Sequence, residues 1–193
     1  MLDGIRIAWR DIPEGSPRRD TAWRLLRELL PDGAELTNPC PRCGGSHGPV
    51  RVSGAPAVVS VTYAGPLAIV AVADTGAVTA IGIDAEPVED ARRDAAGLAG
   101  VLGAGAASVR SWTRVEAALK ADGRGLRVDP ASVRVREHDT RWTAVVPGAE
   151  HLQGWDAEGP EGFVVSVAVR VSAAAAPQPD RATRPAGPSA ATP

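Results

Sequence analysis

The sequence predicts an α+β fold, with helices laid on antiparallel sheet. Short Val- and Ala-rich runs are separated by turn residues, two stretches have helical spacing of apolar positions, and the strand runs come in hairpin-like succession. In chain order, residues 18–30 (RRDTAWRLLRELL) read as an amphipathic helix. Ala22, Leu25, Leu26, Leu29 and Leu30 share a stripe and the arginines take the other faces. Pro31 stops it, and residues 31–56 are turn-rich. Residues 57–63 (AVVSVTY) read as a strand. Gly65-Pro66 turns the chain into 67–73 (LAIVAVA), which is apolar on both faces and therefore central in a sheet. Asp74-Thr75-Gly76 leads into a third strand, 77–85, so that the three form a meander ended by Pro87.

Residues 89–107 are Ala-rich and read as helical, with interruptions at Gly97, Gly100 and Gly103. Ser108 or Ser111 caps a helix that runs to about Ala121 and ends at Gly123 and Gly125. Residues 132–137, 141–146 and 163–171 read as strands. The organisation expected is an N-terminal α+β half at 1–76, a C-terminal half at 77–172 and an Ala/Pro-rich tail at 173–193 whose composition favours disorder. Trp9, Trp23, Trp142 and Trp155 read as core anchors.

The net charge is −2, with arginine and acid scattered along the chain. No basic stripe with interleaved aromatics marks a nucleic-acid surface. No apolar run approaches the roughly 18 residues of a membrane span. The N-terminus, MLDGIRIAWRD, lacks the apolar segment of a secretion signal, so a cytoplasmic protein is expected. The two cysteines, Cys40 and Cys43, form a Cys-x2-Cys pair with His47 close behind. These are three zinc ligands at plausible spacing, but a closed structural site needs a fourth. His138, His151 or a carboxylate would have to come from a distance. The competing reading is a Gly/Pro-rich connecting turn with two reduced thiols. No thioredoxin-like βαβ context supports a redox pair.

All but one of the 21 Lys and Arg residues are arginine, and the exception is Lys120. Where a chain uses Arg for general cationic duty, a single Lys marks a position suited to a compact ammonium on a flexible stem. Lys120 stands four residues after Glu116, so the two are neighbours on one helix face. Trp112, Val115 and Leu119 read as the adjacent buried stripe. Upstream, IGIDAE places Asp84 and Glu86 two apart on a strand, on one face, with Ile81, Ile83 and Ala85 turned to a core. Each half has an ordinary reading as well: a solvated strand end, and a helical ion pair worth about 0.3–0.5 kcal/mol. Taken together, Asp84, Glu86, Glu116 and Lys120 are the parts of a Mg²⁺–phosphate site. The following ADGRGL loop adds Arg124 and backbone donors.

The segment IGIDAE resembles the Val/Ile-Gly-Val/Ile-Asp-x-Glu motif of the 4′-phosphopantetheinyl transferases. SWTRVEAALKADGRGL is similar to their Trp-x-x-Lys-Glu-Ala-x-x-Lys-x-x-Gly-x-Gly-Leu motif. CGGSHGP resembles the Cys-Gly-x-x-His-Gly-Lys-Pro segment of the surfactin-synthetase-activating (Sfp-like) branch. VSVTYAGPLAIVAVA and GFVVSVAV resemble its core strands. The likeness covers about residues 18–171.

The resemblance implies a pseudo-dimer of two similar α+β halves, with coenzyme A and Mg²⁺ in the cleft between them. The first half is shortened by roughly 40–60 residues relative to a usual domain. It implies transfer of the 4′-phosphopantetheine arm to a serine of an acyl or peptidyl carrier protein, releasing 3′,5′-ADP, by a monomeric enzyme of the kind that serves secondary-metabolite synthesis. Asp84, Glu86 and Glu116 would hold Mg²⁺. Glu116 and Lys120 would be catalytic, and Arg18, Arg24, Arg51, Tyr63 and Lys120 would contact CoA. Three family cations are replaced. Tyr63 stands for a histidine, Val115 for a lysine, and His47-Gly48 runs into Pro49 without the intervening lysine. Arg51, Arg114 and the arginines of the first helix (Arg18, Arg19, Arg24) are the nearest substitutes in sequence. These losses define a second expectation, a catalytically impaired homologue that binds a carrier protein or CoA.

Overall fold

A computed structural model describes residues 4–89, 95–102 and 108–173. Its strands are β1 (Arg6–Asp11), β2 (Glu35–Thr37), β3 (Arg51–Ser53), β4 (Ala57–Ala64), β5 (Leu67–Asp74), β6 (Val78–Pro87), β7 (Arg134–His138), β8 (Arg141–Val145), β9 (Leu152–Ala157) and β10 (Phe163–Val171). Its helices are α1 (Arg18–Leu29), α2 (Ala95–Leu102) and α3 (Val109–Asp122), with 3₁₀ turns at Gly125–Arg127 and Pro130–Ser132. The fold is α+β, and every strand pairing is antiparallel. The expected helix over 89–107 is described only as α2. Its remaining residues from 90 to 107, and the tail from 174 on, lie outside the described residues.

β5 explains the layering. Its even residues Ala68, Val70 and Val72 pack under Ala22, Leu25, Leu26 and Leu30 at α1. Its odd residues Leu67, Ile69, Ala71 and Ala73 pack against Ile81, Ile83 and Ala85 of β6 and against Val165, Val167 and Val169 of β10. A strand sandwiched this way must be apolar at every position. Full burial of side chains such as Ile69, Val70 and Val72 contributes about 1.5–3 kcal/mol each. On the far side of β10, α3 buries Val115, Ala118 and Leu119 among Trp142, Ala144, Leu152 and Ala168. The order of layers is therefore α1, a three-stranded sheet (β1-β5-β4), a five-stranded sheet (β6-β10-β9-β8-β7) and α3.

The expected three-strand meander does not form. β4 and β5 pair as a hairpin, but β1, unread in the sequence, occupies the other edge of β5. With both edges of β5 filled, β6 turns away and pairs with β10. It stays tied to β4 by side chains: the Ile83 N–H donates to Ser60 Oγ at 3.0 Å. The strand orders of the two sheets differ, so the described residues give no evidence for two similar halves.

Trp142 is buried in the core under α3 as expected, and Trp155 is half-buried on the other face of its sheet, against the core between the sheets. Trp9 is not an anchor: it sits on the outer strand β1 and is 41% exposed. Trp23 is half-buried on α1, with the Arg27 guanidinium over its ring. Among the described residues no helix is long and apolar enough to cross a membrane.

Candidate functional site

The site is built where α3 crosses β6. Ser108 caps the helix, its Oγ accepting from the Ser111 N–H at 3.0 Å, and Gly123 ends it in the left-handed conformation. The crossing is close because residue 82 has no side chain. A Cβ there would lie 2.0 Å from the carbonyl oxygen of Ala117 and 2.5 Å from the amide of Ala121. Gly82 thus lets the helix backbone rest directly on the strand and brings the Lys120 side chain over it.

Lys120 Nζ donates to Asp84 Oδ1 at 2.7 Å and to the Ile83 carbonyl at 3.0 Å. Thr62 of β4 also donates to Asp84 Oδ1, at 2.9 Å. Asp84 is 4% exposed, and its other oxygen, Oδ2, is buried without a hydrogen-bond partner. Desolvating a carboxylate oxygen and leaving it unpaired is costly, so its persistence points to a cationic ligand. Glu86, also buried, accepts from the Trp112 indole Nε1 at 3.2 Å. Trp112 is therefore half-buried beside the acids rather than part of the Val115–Leu119 stripe. Trp112, Glu116 and Lys120 follow one another at i, i+4 spacing along α3. The three carboxylates and the lysine expected from the sequence thus fall on two packed elements.

Lys120 also lines a cleft of about 760 Å³. Arg18, Arg19 and Tyr63 form one wall, the 38–50 loop another, and the turn after α3, with Arg124 and Arg127, a third. With Arg42 from the loop, its lining carries many cations and no acidic residue. In a chain of net charge −2 this is a marked local excess, suited to a polyanion. Arg124 is held by Asp122 at 2.6 Å, whereas Arg19 and Arg42 have no carboxylate partner among the described residues. The Arg18 guanidinium lies 5.1 Å from the centroid of the Tyr63 ring. Burial pushes the Tyr63 hydroxyl above its ordinary pKa, against the pull of Arg18 and Arg19.

Other expected contacts are placed elsewhere. Arg24 lines a neighbouring hollow with Arg19 and Trp23, and Arg51 sits exposed on β3 and does not line the cleft. Arg114 is no substitute for a phosphate-binding cation. It is 8% exposed and grips Asp156 in a bidentate pair, Nε to Oδ1 at 3.0 Å and Nη2 to Oδ2 at 2.8 Å, with Glu137 at 2.5 Å. Arg110 and Ser166 also donate to Asp156. Burial alone would raise the Asp156 pKa, but these hydrogen bonds outweigh it and hold the carboxyl below the usual aspartate value. Arg42 and Arg127 in the cleft, and Asp156 under α3, carry no local sequence signature and are found only through the fold.

Compared with known proteins, the chain matches no protein-family model, and no curated protein is significantly similar to it.

Proposed function

We propose that this chain transfers the 4′-phosphopantetheine arm of coenzyme A to a serine of an acyl or peptidyl carrier protein, releasing 3′,5′-ADP. The observation that carries the reading is the contact of Lys120, in the wall of a cleft lined by cations, with Asp84, whose second oxygen is buried and unpartnered. The donor set fits a hard divalent cation: carboxylate oxygens from Asp84, Glu86 and Glu116, with no sulfur or imidazole among them. Mg²⁺ held by these residues would neutralise charge on the CoA pyrophosphate.

The chain's own groups supply the rest. Arg18, Arg19, Arg42 and Arg127 bind and orient the phosphates. The carrier serine Oγ attacks the phosphorus attached to the pantetheine arm. That phosphorus–oxygen bond to the nucleotide breaks, and 3′,5′-ADP leaves with the electron pair. Glu116 takes the serine proton, and Lys120 offsets the charge that grows on the leaving phosphate. In this reading the two helix-on-sheet pairs are the halves of a pseudo-dimer with a shortened first half, working as a cytoplasmic monomer.

Two observations favour a second reading, a carrier- or CoA-binding homologue without turnover: Lys120 already neutralises Asp84 at 2.7 Å, and Tyr63 stands where the family motif has a histidine. Intact mass of apo carrier proteins, spanning fatty-acid, polyketide and peptide types, incubated with the chain, CoA and Mg²⁺ separates the two. A gain of one phosphopantetheine that disappears on chelation, and in Asp84→Ala, is the expected result. Binding of CoA without mass gain on any carrier overturns it in favour of the second reading.

A further inference from the structure

The loop between β2 and β3, which also walls the basic cleft, holds a second cluster of chemically able side chains, apart from the carboxylates and Lys120. Its ends are tied before any ligand enters. The Gly48 N–H donates to the Asn38 carbonyl at 2.8 Å, and Asn38 Nδ2 donates to the Ser46 carbonyl at 2.9 Å. The fit is tight at Gly48, where a Cβ would lie 2.1 Å from the Pro39 carbonyl oxygen. Within the loop, Cys40 donates its N–H to Gly45 and accepts from the Gly44 N–H at its carbonyl, both at 2.8 Å. The backbone N–H groups of Arg42 and Cys43 point at the Cys40 sulfur. This is a tight knuckle that turns two thiols and an imidazole toward one point.

We infer that Cys40, Cys43 and His47 bind one Zn²⁺ with two thiolates and one imidazole, leaving the fourth position open to solvent. Their ligand atoms all lie within 4.8 Å of one another, and Cys43 Sγ is 3.1 Å from His47 Nε2. Ligand atoms around a tetrahedral zinc stand about 3.5–3.8 Å apart, from Zn–S and Zn–N bonds of about 2.3 and 2.0 Å, so small side-chain adjustments complete the site. Among the described residues neither His138 nor His151 joins the cluster. The ion is therefore not enclosed, which agrees with an exposed loop: Cys43 is exposed and Cys40 half-buried. Soft thiolate donors select zinc over magnesium, so this site and the carboxylate site do not compete for one metal. Binding releases the thiol protons and leaves His47 ligating through Nε2. Cys40 and His47 line the basic cleft, so the zinc would fix that wall, while the two thiolates cancel the charge of the ion. The inference stands whether or not the chain transfers phosphopantetheine.

The test is metal content of the full chain, reconstituted with zinc and passed over a desalting column. About one zinc per chain is expected. Reaction of both thiols with a mercurial should release it, and replacement by Co²⁺ should give thiolate-to-cobalt charge-transfer absorption. Cys43→Ser should reduce zinc to background while circular dichroism stays unchanged, because the loop lies outside the three apolar cores. His138→Ala and His151→Ala should leave the stoichiometry intact. Wild-type zinc content no higher than that of a Cys40→Ser/Cys43→Ser chain overturns the inference. So do thiols that react with a disulfide reagent as fast with zinc as without it.

Discussion

Helix α3 carries two cation–carboxylate clusters, and they are finished differently. On one, Arg114 meets Asp156 in a bidentate pair. Both Asp156 oxygens are saturated, Oδ1 by Arg114 and Ser166, Oδ2 by Arg114 and Arg110. On the other, Lys120 meets Asp84 through a single oxygen, and the second oxygen has no hydrogen bond at all. A planar fork that locks a carboxylate on two sides clamps α3 to β9 and β10. A point charge that touches one side leaves a coordination position open and can swing away on its flexible stem. The first cluster reads as a clamp, the second as a site.

The sharpest way to break that contrast is to neutralise the open carboxylate. Asp84→Asn keeps the shape and the acceptor for Thr62 but removes the charge. Phosphopantetheine transfer should fall by about 10³-fold, comparable to losing a principal electrostatic contact in a transition state. The urea unfolding midpoint should correspond to a change of less than about 1 kcal/mol, since Lys120, 28% exposed in its side chain, regains water. A collapse in stability together with activity would make both clusters clamps.

The converse change acts on the closed cluster. Arg114→Met leaves Asp156 with only Arg110 and Ser166, and should destabilise the fold by about 3 kcal/mol, read from urea unfolding. Turnover per folded molecule should be retained. The pH dependence gives the sign. The Asp156 carboxyl lies below its ordinary pKa in the fold, so its contribution is fully present above the unfolded value of about 3.9 and is lost as pH falls through the lower folded value. Wild-type stability should therefore drop below about pH 4, and the Arg114→Met profile should be flatter there.

The two clusters were not equally legible. The open one is written in short range: two acids at strand spacing, and a glutamate and the lone lysine at helical spacing, need only that β6 and α3 touch. The residue that makes them touch, Gly82, sits within the acidic motif itself. The closed one joins Arg114, Glu137, Asp156 and Ser166 from four separate elements, and no spacing in the sequence relates them. The same division runs through the fold. β4, β5 and β10 are long apolar runs and are legible nearly to the residue. β1 and β9 are short, and RIAWRD and LQGWDA mix polar and apolar residues because each has a solvent-facing side. With β1 illegible in the sequence, an edge of β5 looks open to β6, whereas β1 fills it and β6 pairs with β10.

Gly82 itself supplies a smaller perturbation of the contrast. Gly82→Ala forces a methyl group against the Ala117 carbonyl and should cost about 1–3 kcal/mol of stability. Because the clash lies within reach of Lys120 Cβ, at 3.0 Å, the displacement is felt at the open cluster. Transfer should fall further than the stability loss alone accounts for. Equal loss in Gly82→Ala and Arg114→Met, compared per unit of stability, would mean that the helix position matters generally and that the open cluster has no special sensitivity to it.

The smallest effect tests how far the open site reaches across the cleft. Tyr63 faces it from the first sheet, and its ring supports Arg18 rather than contacting either cluster. If the ring acts by holding that guanidinium, Tyr63→Phe should change CoA affinity less than about twofold, while Tyr63→Ala should weaken it by the roughly 0.5–1 kcal/mol of an exposed cation–π contact. Burial keeps the hydroxyl neutral past its ordinary pKa, so the phenylalanine variant should also share the wild-type pH–rate profile up to about pH 10. A Tyr63→Phe chain as weak as the alanine variant would assign the work to the hydroxyl instead. The cleft wall would then be a hydrogen-bonding partner of the ligand, and the site would extend beyond α3 and β6 to the first sheet.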